Sequence, residues 1–278
     1  MSRPTATAEQ PTVVRNYFDD ASTSWGQRYQ QPPRGMADVD LLMRRRNIHE
    51  LLQPILDAAA NTLQVIDVGC GSGDVLAGLP RDKMRVFGMD FSPEMVRHAS
   101  IAHPQDRFLA GDATRLPLAF DSADIAVSSG VIEYIPDPLS AVAGIVATLR
   151  PGGHLIISFP NRKSVFRHLL HVERSLERTA HRAKNALRGK ASTNGSNNSR
   201  YRHRQWSVGE VTDLLRRAGL IVEEVRINTF GPWGRLGRLR MMSQASQSLS
   251  ARFKNANAVT TRFGSTLVIR ARKPGDNA

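Results

Sequence analysis

The run "QVIDVGCGSGDVL" (64–76) constrains this chain more than any other stretch. Its first half reads as a buried strand, and it opens directly into three glycines at alternate positions, Gly69, Gly71 and Gly73. Glycines in such a turn let the backbone adopt conformations closed to other residues and let a ligand approach the main chain closely. Strand-like and helix-like runs then alternate from residue 65 to residue 160, which argues for βαβ units and a mainly parallel sheet.

The punctuation of that pattern is specific. A short helix is predicted from about Asp74. "RVFGMD" is followed by "SPEMVRHASIAH", where Ser92 suits an N-cap and Pro93 the first helical position. "RFLAGD" and "ADIAVSSG" read as further strands, and Asp137–Pro138 opens a helix to Leu149. "RPGG" turns the chain into "HLIISFP". Later, "SVGE" (207–210) has capping-box form, Gly219 suits a helix end, and "LIVEEVRI" and "STLVIRARK" look like two closing strands.

The chain has 278 residues, 41% hydrophobic and 23% charged, which fits one core of about 200 residues with an insertion and tails. No stretch approaches the ~18 apolar residues of a membrane span, and "MSRPTATAEQPT" lacks the apolar core of a signal peptide. A cytoplasmic protein is the expectation. Its one cysteine, Cys70, excludes an intramolecular disulfide and a cysteine-built metal cluster, and no metal site is expected.

A nicotinamide dinucleotide is the first ligand to weigh against the glycine turn. Its fingerprint, G-x-G-x-x-G, needs a glycine where this chain has Asp74, and Asp67 sits inside the strand two residues before the first glycine. A carboxylate there is poorly placed to face a pyrophosphate and well placed to accept from a cationic amine. The turn therefore favours a cofactor with no phosphate at that point.

Four segments in register resemble the class I S-adenosylmethionine-dependent methyltransferases, of the small-molecule and quinone type. "DVGCGSG" resembles their first motif, and "FGMDFSPEMV" resembles the second-strand motif. "LAGDATRLPLAFDSADIAVS" is similar to the third, and "LRPGGHLIIS" to the turn into strand five. The resemblance is strong over about 60–160 and looser over 205–272. It implies an α/β Rossmann-like fold with a seven-stranded, mostly parallel sheet, an N-terminal helical lid and a basic helical insertion after strand five. It also implies S-adenosylmethionine as cofactor. On this resemblance Asp90 takes both ribose hydroxyls, Asp112 and Ala113 lie by the adenine, and Phe91 and Met95 pack on purine and ribose. Asp67, Gly69, Cys70, Gly71, Gly73 and Ser128 complete the expected cofactor site.

The acceptor end is read from absences and from weaker likenesses. There is no Asn/Asp-Pro-Pro-aromatic motif of the kind found in methyltransferases of exocyclic amines, and Cys70 is committed to the turn. Both move the acceptor toward a small-molecule or lipid-like compound, with nucleic acid disfavoured and methylation at oxygen, carbon or nitrogen all open. "GVIEYIPDP" resembles the "LxHxxD"-like stretch of the family, with Tyr134 where those proteins often have histidine. "YRHRQWSVGE" resembles a late segment in which His203 would face the acceptor. The catalytic candidates are His203, Tyr134 and Glu133. "NYFDDASTSWGQRY" is similar to the family's lid, with Tyr17, Phe18, Trp25 and Tyr29 shielding the sulfonium.

Charge is concentrated. Residues 162–204 hold twelve Lys or Arg against two Glu, so they carry +10 of the chain's net +13. Apolar positions at 166, 169, 172, 176, 180, 183 and 187 mark an amphipathic helix over 164–188, and "GKASTNGSNNS" a flexible loop. Three readings fit: a helix on an anionic membrane surface at the inner face, a nucleic-acid grip, and a solvated helix over the site. The expected organisation is a flexible tail (1–12), an N-terminal helical segment (13–60), a methyltransferase domain (61–272) with the basic insertion at 162–204, and a flexible tail (273–278). An RNA methyltransferase and a non-catalytic cofactor-binding module stay open as alternatives.

Overall fold

The structure is a computed structural model that describes residues 10–170, 175, 179 and 204–275. Three helices lead in: α1 (Gln10–Trp25), α2 (Gln27–Gln30) and α3 (Met36–Ala58). They are followed by β1 (Leu63–Val68), β2 (Met84–Asp90), α4 (Pro93–Ala102), β3 (Arg107–Ala110), β4 (Ala123–Ser128), α5 (Pro138–Thr148) and β5 (Leu149–Pro160). Residues 165–170 begin a helix. The chain closes with α6 (Val208–Arg217), β6 (Ile221–Phe230), α7 (Arg240–Arg252), α8 (Thr260–Phe263) and β7 (Gly264–Arg272).

All seven strands form one sheet in the order β3-β2-β1-β4-β5-β7-β6, with β7 antiparallel to both of its neighbours. The expected seven-stranded, mostly parallel sheet is therefore present. The central strands β1, β4, β5 and β7 are buried on both faces over most of their length, while the edge strand β3 is exposed. Successive residues point to opposite sides, so Val65, Ile125, Ile156 and Val268 meet Ile48, Leu51, Leu52 and Leu56 of α3. Ile66, Ala126, Leu155 and Leu267 join the cluster that holds α5 and α6 on the other face. Each such side chain contributes roughly 1.5–3 kcal/mol by leaving water.

The caps stand where the sequence placed them. Ser92 accepts from the Met95 N–H at 3.0 Å, Asp137 from the Ser140 N–H, and Ser207 and Glu210 form a reciprocal capping box. Gly219, at φ +87°, closes the α6 end. Two expectations are corrected. Residues 74–79 make successive single turns rather than a helix, because Gly73 (φ +82°) and Gly78 (φ +84°) are left-handed and interrupt the hydrogen-bond ladder. The tails are shorter than expected: residues 10–12 belong to α1, and Lys273 exchanges backbone bonds with Gly152 and Gly153 while its Nζ reaches Asp121 at 2.7 Å. Of the amphipathic helix expected over 164–188, only 164–170, 175 and 179 lie within the described residues.

Two features fix the back of the molecule. Asp40, buried on α3, accepts from Thr229 Oγ1 at 2.9 Å and Thr266 Oγ1 at 2.6 Å, and pairs with Arg44 at 3.3 Å. It thus pins α3 to β6 and β7. The outer edge of β6 is covered by residues 254–256: the Ile227 N–H donates to Lys254 O at 2.8 Å and the Ala256 N–H to Val225 O at 3.1 Å. Among the described residues no helix is long and apolar enough to cross a membrane.

Replacing Asp40 by Ala leaves the buried Arg44 charge and two buried hydroxyls without their acceptor. We expect the variant to lose about 3–5 kcal/mol of stability, read as a lowered urea midpoint at unchanged slope. A midpoint within error of the parent would show that Asp40 does not fasten the helix.

Candidate active site

The first four strands end on one side of the sheet, where ligands settle in open α/β folds. Leaving β1, the chain takes left-handed conformations at Gly69 (φ +77°), Gly71 (φ +53°) and Gly73 (φ +82°). The N–H groups of Gly69 and Cys70 both donate to Met89 O, at 2.7 and 3.0 Å. Asp90, at the end of β2, closes the turn: its carboxylate accepts from the Gly71 N–H at 2.8 Å and the Ser92 N–H at 2.9 Å. Burial pushes the Asp90 carboxyl up, and those two N–H groups oppose the push.

The three glycines do different work. A Cβ on Gly69 would overlap Val131, at 2.0 Å from Cγ2, so the turn must be bare where the loop after β4 crosses it. Gly71 lies under the Trp25 indole, 3.6 Å from an added Cβ to Nε1. Gly73 faces away, against His103 and Phe108, and packs the turn onto the layer behind.

A cavity of about 510 Å³ opens over this turn. Of the residues expected to meet the cofactor, Gly69, Cys70, Gly71, Asp90, Phe91, Met95, Asp112 and Ala113 line it. Asp112 stands in an exposed turn, where its carboxylate accepts from the Thr114 N–H and hydroxyl, each at 2.8 Å. The burial of the Cys70 thiol raises its pKa well above the ordinary value.

Asp67, Gly73 and Ser128 are not on the cavity wall. Asp67 is buried, and its Oδ1 has no hydrogen-bond partner among the described residues. Its carboxyl is pushed up to about 7 by burial and by the Asp90 charge, with Arg81 opposing. Ser128, at the close of β4, points its unpartnered hydroxyl into the interior, and Ser129 takes the place on the wall.

Beyond the turn the wall is made by Glu133 and Tyr134, two of the three catalytic candidates; His203 lies outside the described residues. Glu133 is buried, and its carboxyl is pushed up by burial, with Arg44 and Arg167 opposing. From α1, Phe18 packs edge-on against Trp25 (5.4 Å) and Tyr134 (5.6 Å), roofing the cavity with three rings. The roof is tied down where Ser92 Oγ donates to Asp19.

Arg44 on α3 also lines the cavity, beside Asp40 and Glu133. It was missed in the sequence because "RRR" (44–46) reads as a solvated helix face, and only the fold turns its first member inward. The left-handed Gly130 accommodates it: an added Cβ would stand 2.3 Å from Arg44 Nη1. Among the described residues no group of His, Cys, Asp or Glu is arranged to hold a metal ion.

Residues 66–157 match the family described as methyltransferase domain. That match spans β1 to β5 and contains the turn, Asp90, Asp112 and Glu133. Residues 66–157 are a methyltransferase domain of the class I S-adenosylmethionine-dependent kind. Among its relatives is a probable S-adenosylmethionine-dependent methyltransferase of Mycolicibacterium smegmatis, 33% identical over 131 residues (46% of this chain, 49% of that one). Another is the demethylmenaquinone methyltransferase of Beutenbergia cavernae, 30% identical over 148 residues (53% and 58%). The chain spans about half the length of these curated relatives. Its fold is similar to magnesium protoporphyrin IX methyltransferase from Synechocystis, solved with bound S-adenosylhomocysteine (TM-score 0.62, 17% identity, 94% and 99% of the two chains).

S-adenosylmethionine fits what this methyltransferase domain offers: a left-handed glycine turn on the cavity wall, the half-buried Asp90 carboxylate beside it, and apolar Phe91 and Met95 on the wall.

The position of Asp67 has a pH consequence. A carboxyl that titrates near 7 when folded and near 4 when unfolded favours the folded state below about pH 4 and loses that contribution as pH rises through about 7. Urea titrations of the parent at about pH 5 and pH 8 should therefore show a fall in stability on the order of a few kcal/mol, and Asp67→Asn should flatten it. An equal fall in both proteins would place the titration elsewhere.

Proposed function

We propose that this chain transfers the methyl group of S-adenosylmethionine to a small-molecule acceptor that loses a proton from oxygen or nitrogen, with Glu133 as the base. One observation carries the reading. A single cavity joins the glycine turn to the buried carboxylate of Glu133 beneath the rings of Phe18, Trp25 and Tyr134.

When bound, S-adenosylmethionine supplies a sulfonium-activated methyl group. On the cofactor side, Asp90 receives the ribose hydroxyls: its carboxylate has about four acceptor sites, and the Gly71 and Ser92 N–H groups use two. Phe91 and Met95 pack on the purine and ribose, and Asp112 with Ala113 flanks the adenine. Gly69–Gly71 leave room for the amino-acid portion along bare backbone.

On the acceptor side, positioning supplies much of the rate, because methyl transfer needs chiefly an aligned nucleophile. Burial holds Glu133 above the usual carboxylate range, which suits a group that must take a proton near neutral pH. Arg44 opposes that rise and so keeps available the charged form of Glu133 that takes up the acceptor's proton. The roof of three rings keeps water from the reacting atoms. Relatives named demethylmenaquinone methyltransferase and ubiquinone biosynthesis O-methyltransferase support a ring-bearing, quinol-like acceptor here. The charge of 162–204 supports a peripheral site at the inner membrane face, where such an acceptor would dissolve.

Two variants test the assignment. Asp90→Ala should weaken S-adenosylhomocysteine binding by about 5- to 150-fold in calorimetry, the loss of a buried hydrogen-bonded contact worth about 1–3 kcal/mol. Unchanged affinity would move the ribose elsewhere. Glu133→Gln should bind S-adenosylhomocysteine as the parent does, yet turn over quinol or phenol acceptors at least about a hundredfold more slowly. Equal turnover would remove Glu133 from the chemistry.

A further inference from the structure

Residues 231–263, between β6 and β7, hold six Lys or Arg and no Asp or Glu. Within them, Arg235, Leu236, Arg238, Leu239, Arg240 and Met241 are all exposed along one seven-residue stretch. Leu236 is 62% exposed, Leu239 51% and Met241 68%. Large apolar side chains turned outward among basic ones, with no acid near them in the chain, are an unusual surface for a protein facing only water.

The helix that continues from the patch buries serines beside one methionine. α7 buries Ser243, Ser246 and Ser250, packs Met242 against Met36, Val39 and Met43, and leaves Met241 and Leu249 exposed. Ser250 Oγ accepts from the Thr229 N–H at 2.9 Å, so the hydroxyl side is fastened to β6. The patch is also firmly based. Gly237 is wedged between Pro232 and Met36, with an added Cβ 2.3 Å from Pro232 O and 2.8 Å from Met36 Cγ. Met36 in turn packs with Val39, Met43 and Trp233. A rigid base under exposed Leu and Met is the arrangement of a docking face.

We infer that Arg235–Met241 is a docking face for an anionic phospholipid bilayer. Leu236, Leu239 and Met241 enter the boundary between headgroups and acyl chains while Arg238 and Arg240 meet the phosphates. Charge complementarity selects the anionic partner, and the outward apolar side chains select a bilayer over a nucleic acid. This patch has no aromatic ring on which a base would stack. The face sits at the start of α3, which runs on to Leu41 and Arg44 in the cavity wall, about 8 and 12 Å along the helix axis. Docking here would hold the cavity within a few helical turns of the membrane surface. The inference stands apart from the identity of the acceptor and from the segment 162–204.

Co-sedimentation of the full chain at physiological salt tests it, with vesicles of phosphatidylcholine alone and with phosphatidylglycerol added. The parent should pellet with the anionic vesicles only. Arg238→Ser/Arg240→Ser should weaken that partition roughly 25-fold, about fivefold for each basic residue near a charged leaflet. Leu236→Ser/Met241→Ser, at two of the most exposed positions, should lose binding while keeping its charge. S-adenosylhomocysteine affinity, measured on each variant, should match the parent, which separates a failed docking face from a failed fold or a failed cofactor site. The inference is overturned if the parent does not pellet, if it pellets equally with neutral vesicles, or if both variants pellet like the parent. A mobility shift with RNA that both variants abolish, without vesicle binding, would overturn it in favour of nucleic acid.

Discussion

The carboxylate of Asp90 joins the two halves of the site. One oxygen holds the Gly71 N–H and the other the Ser92 N–H, so the exit of β1 and the start of α4 are set against each other by a single side chain. Ser92 passes the constraint on, since its hydroxyl caps α4 and reaches the roof helix at Asp19. Turn, helix and roof are thus one hydrogen-bonded chain. The left-handed glycines are needed because the Met89 carbonyl gathers two consecutive N–H groups, a curvature that side chains at Gly69 and Gly71 would oppose.

The opposite wall depends on a second charge system. Arg44 brings a buried cation to the cavity, Asp40 balances it, and Glu133 shares its field. Asp40 is in turn held by threonines of β6 and β7, so the acceptor side is fixed to the far end of the sheet, while the cofactor side is fixed within β1 and β2. The same helix α3 serves the core with Ile48, Leu51, Leu52 and Leu56 and the site with Leu41 and Arg44.

What was legible in the sequence was chiefly local. The caps at Ser92, Asp137 and Ser207 follow from side-chain bonds within a turn of the chain, and the glycine turn from its spacing. The sheet was legible because alternating runs leave few topologies. The side of the sheet that Asp67 takes was not legible, because β1 is buried on both faces and in such a strand a carboxylate's side cannot be read from alternation. The helix expected after Asp74 failed on the glycines that made the turn recognisable, since two left-handed residues also stop a helix from forming. Arg44 needed the fold itself: nothing in "RRR" distinguishes the residue that Gly130 makes room for from its two neighbours.

The covered edge of β6 bears on how copies of this chain can meet. Residues 254–256 occupy hydrogen-bonding positions that a foreign strand would use, and at the other margin β3 is four residues long and begins with Arg107. Neither margin offers a long bare template. Among the described residues, extending the sheet from one molecule into the next is thus left only the four residues of β3 and the uncovered ends of β6, which turns assembly toward the helical faces and loops.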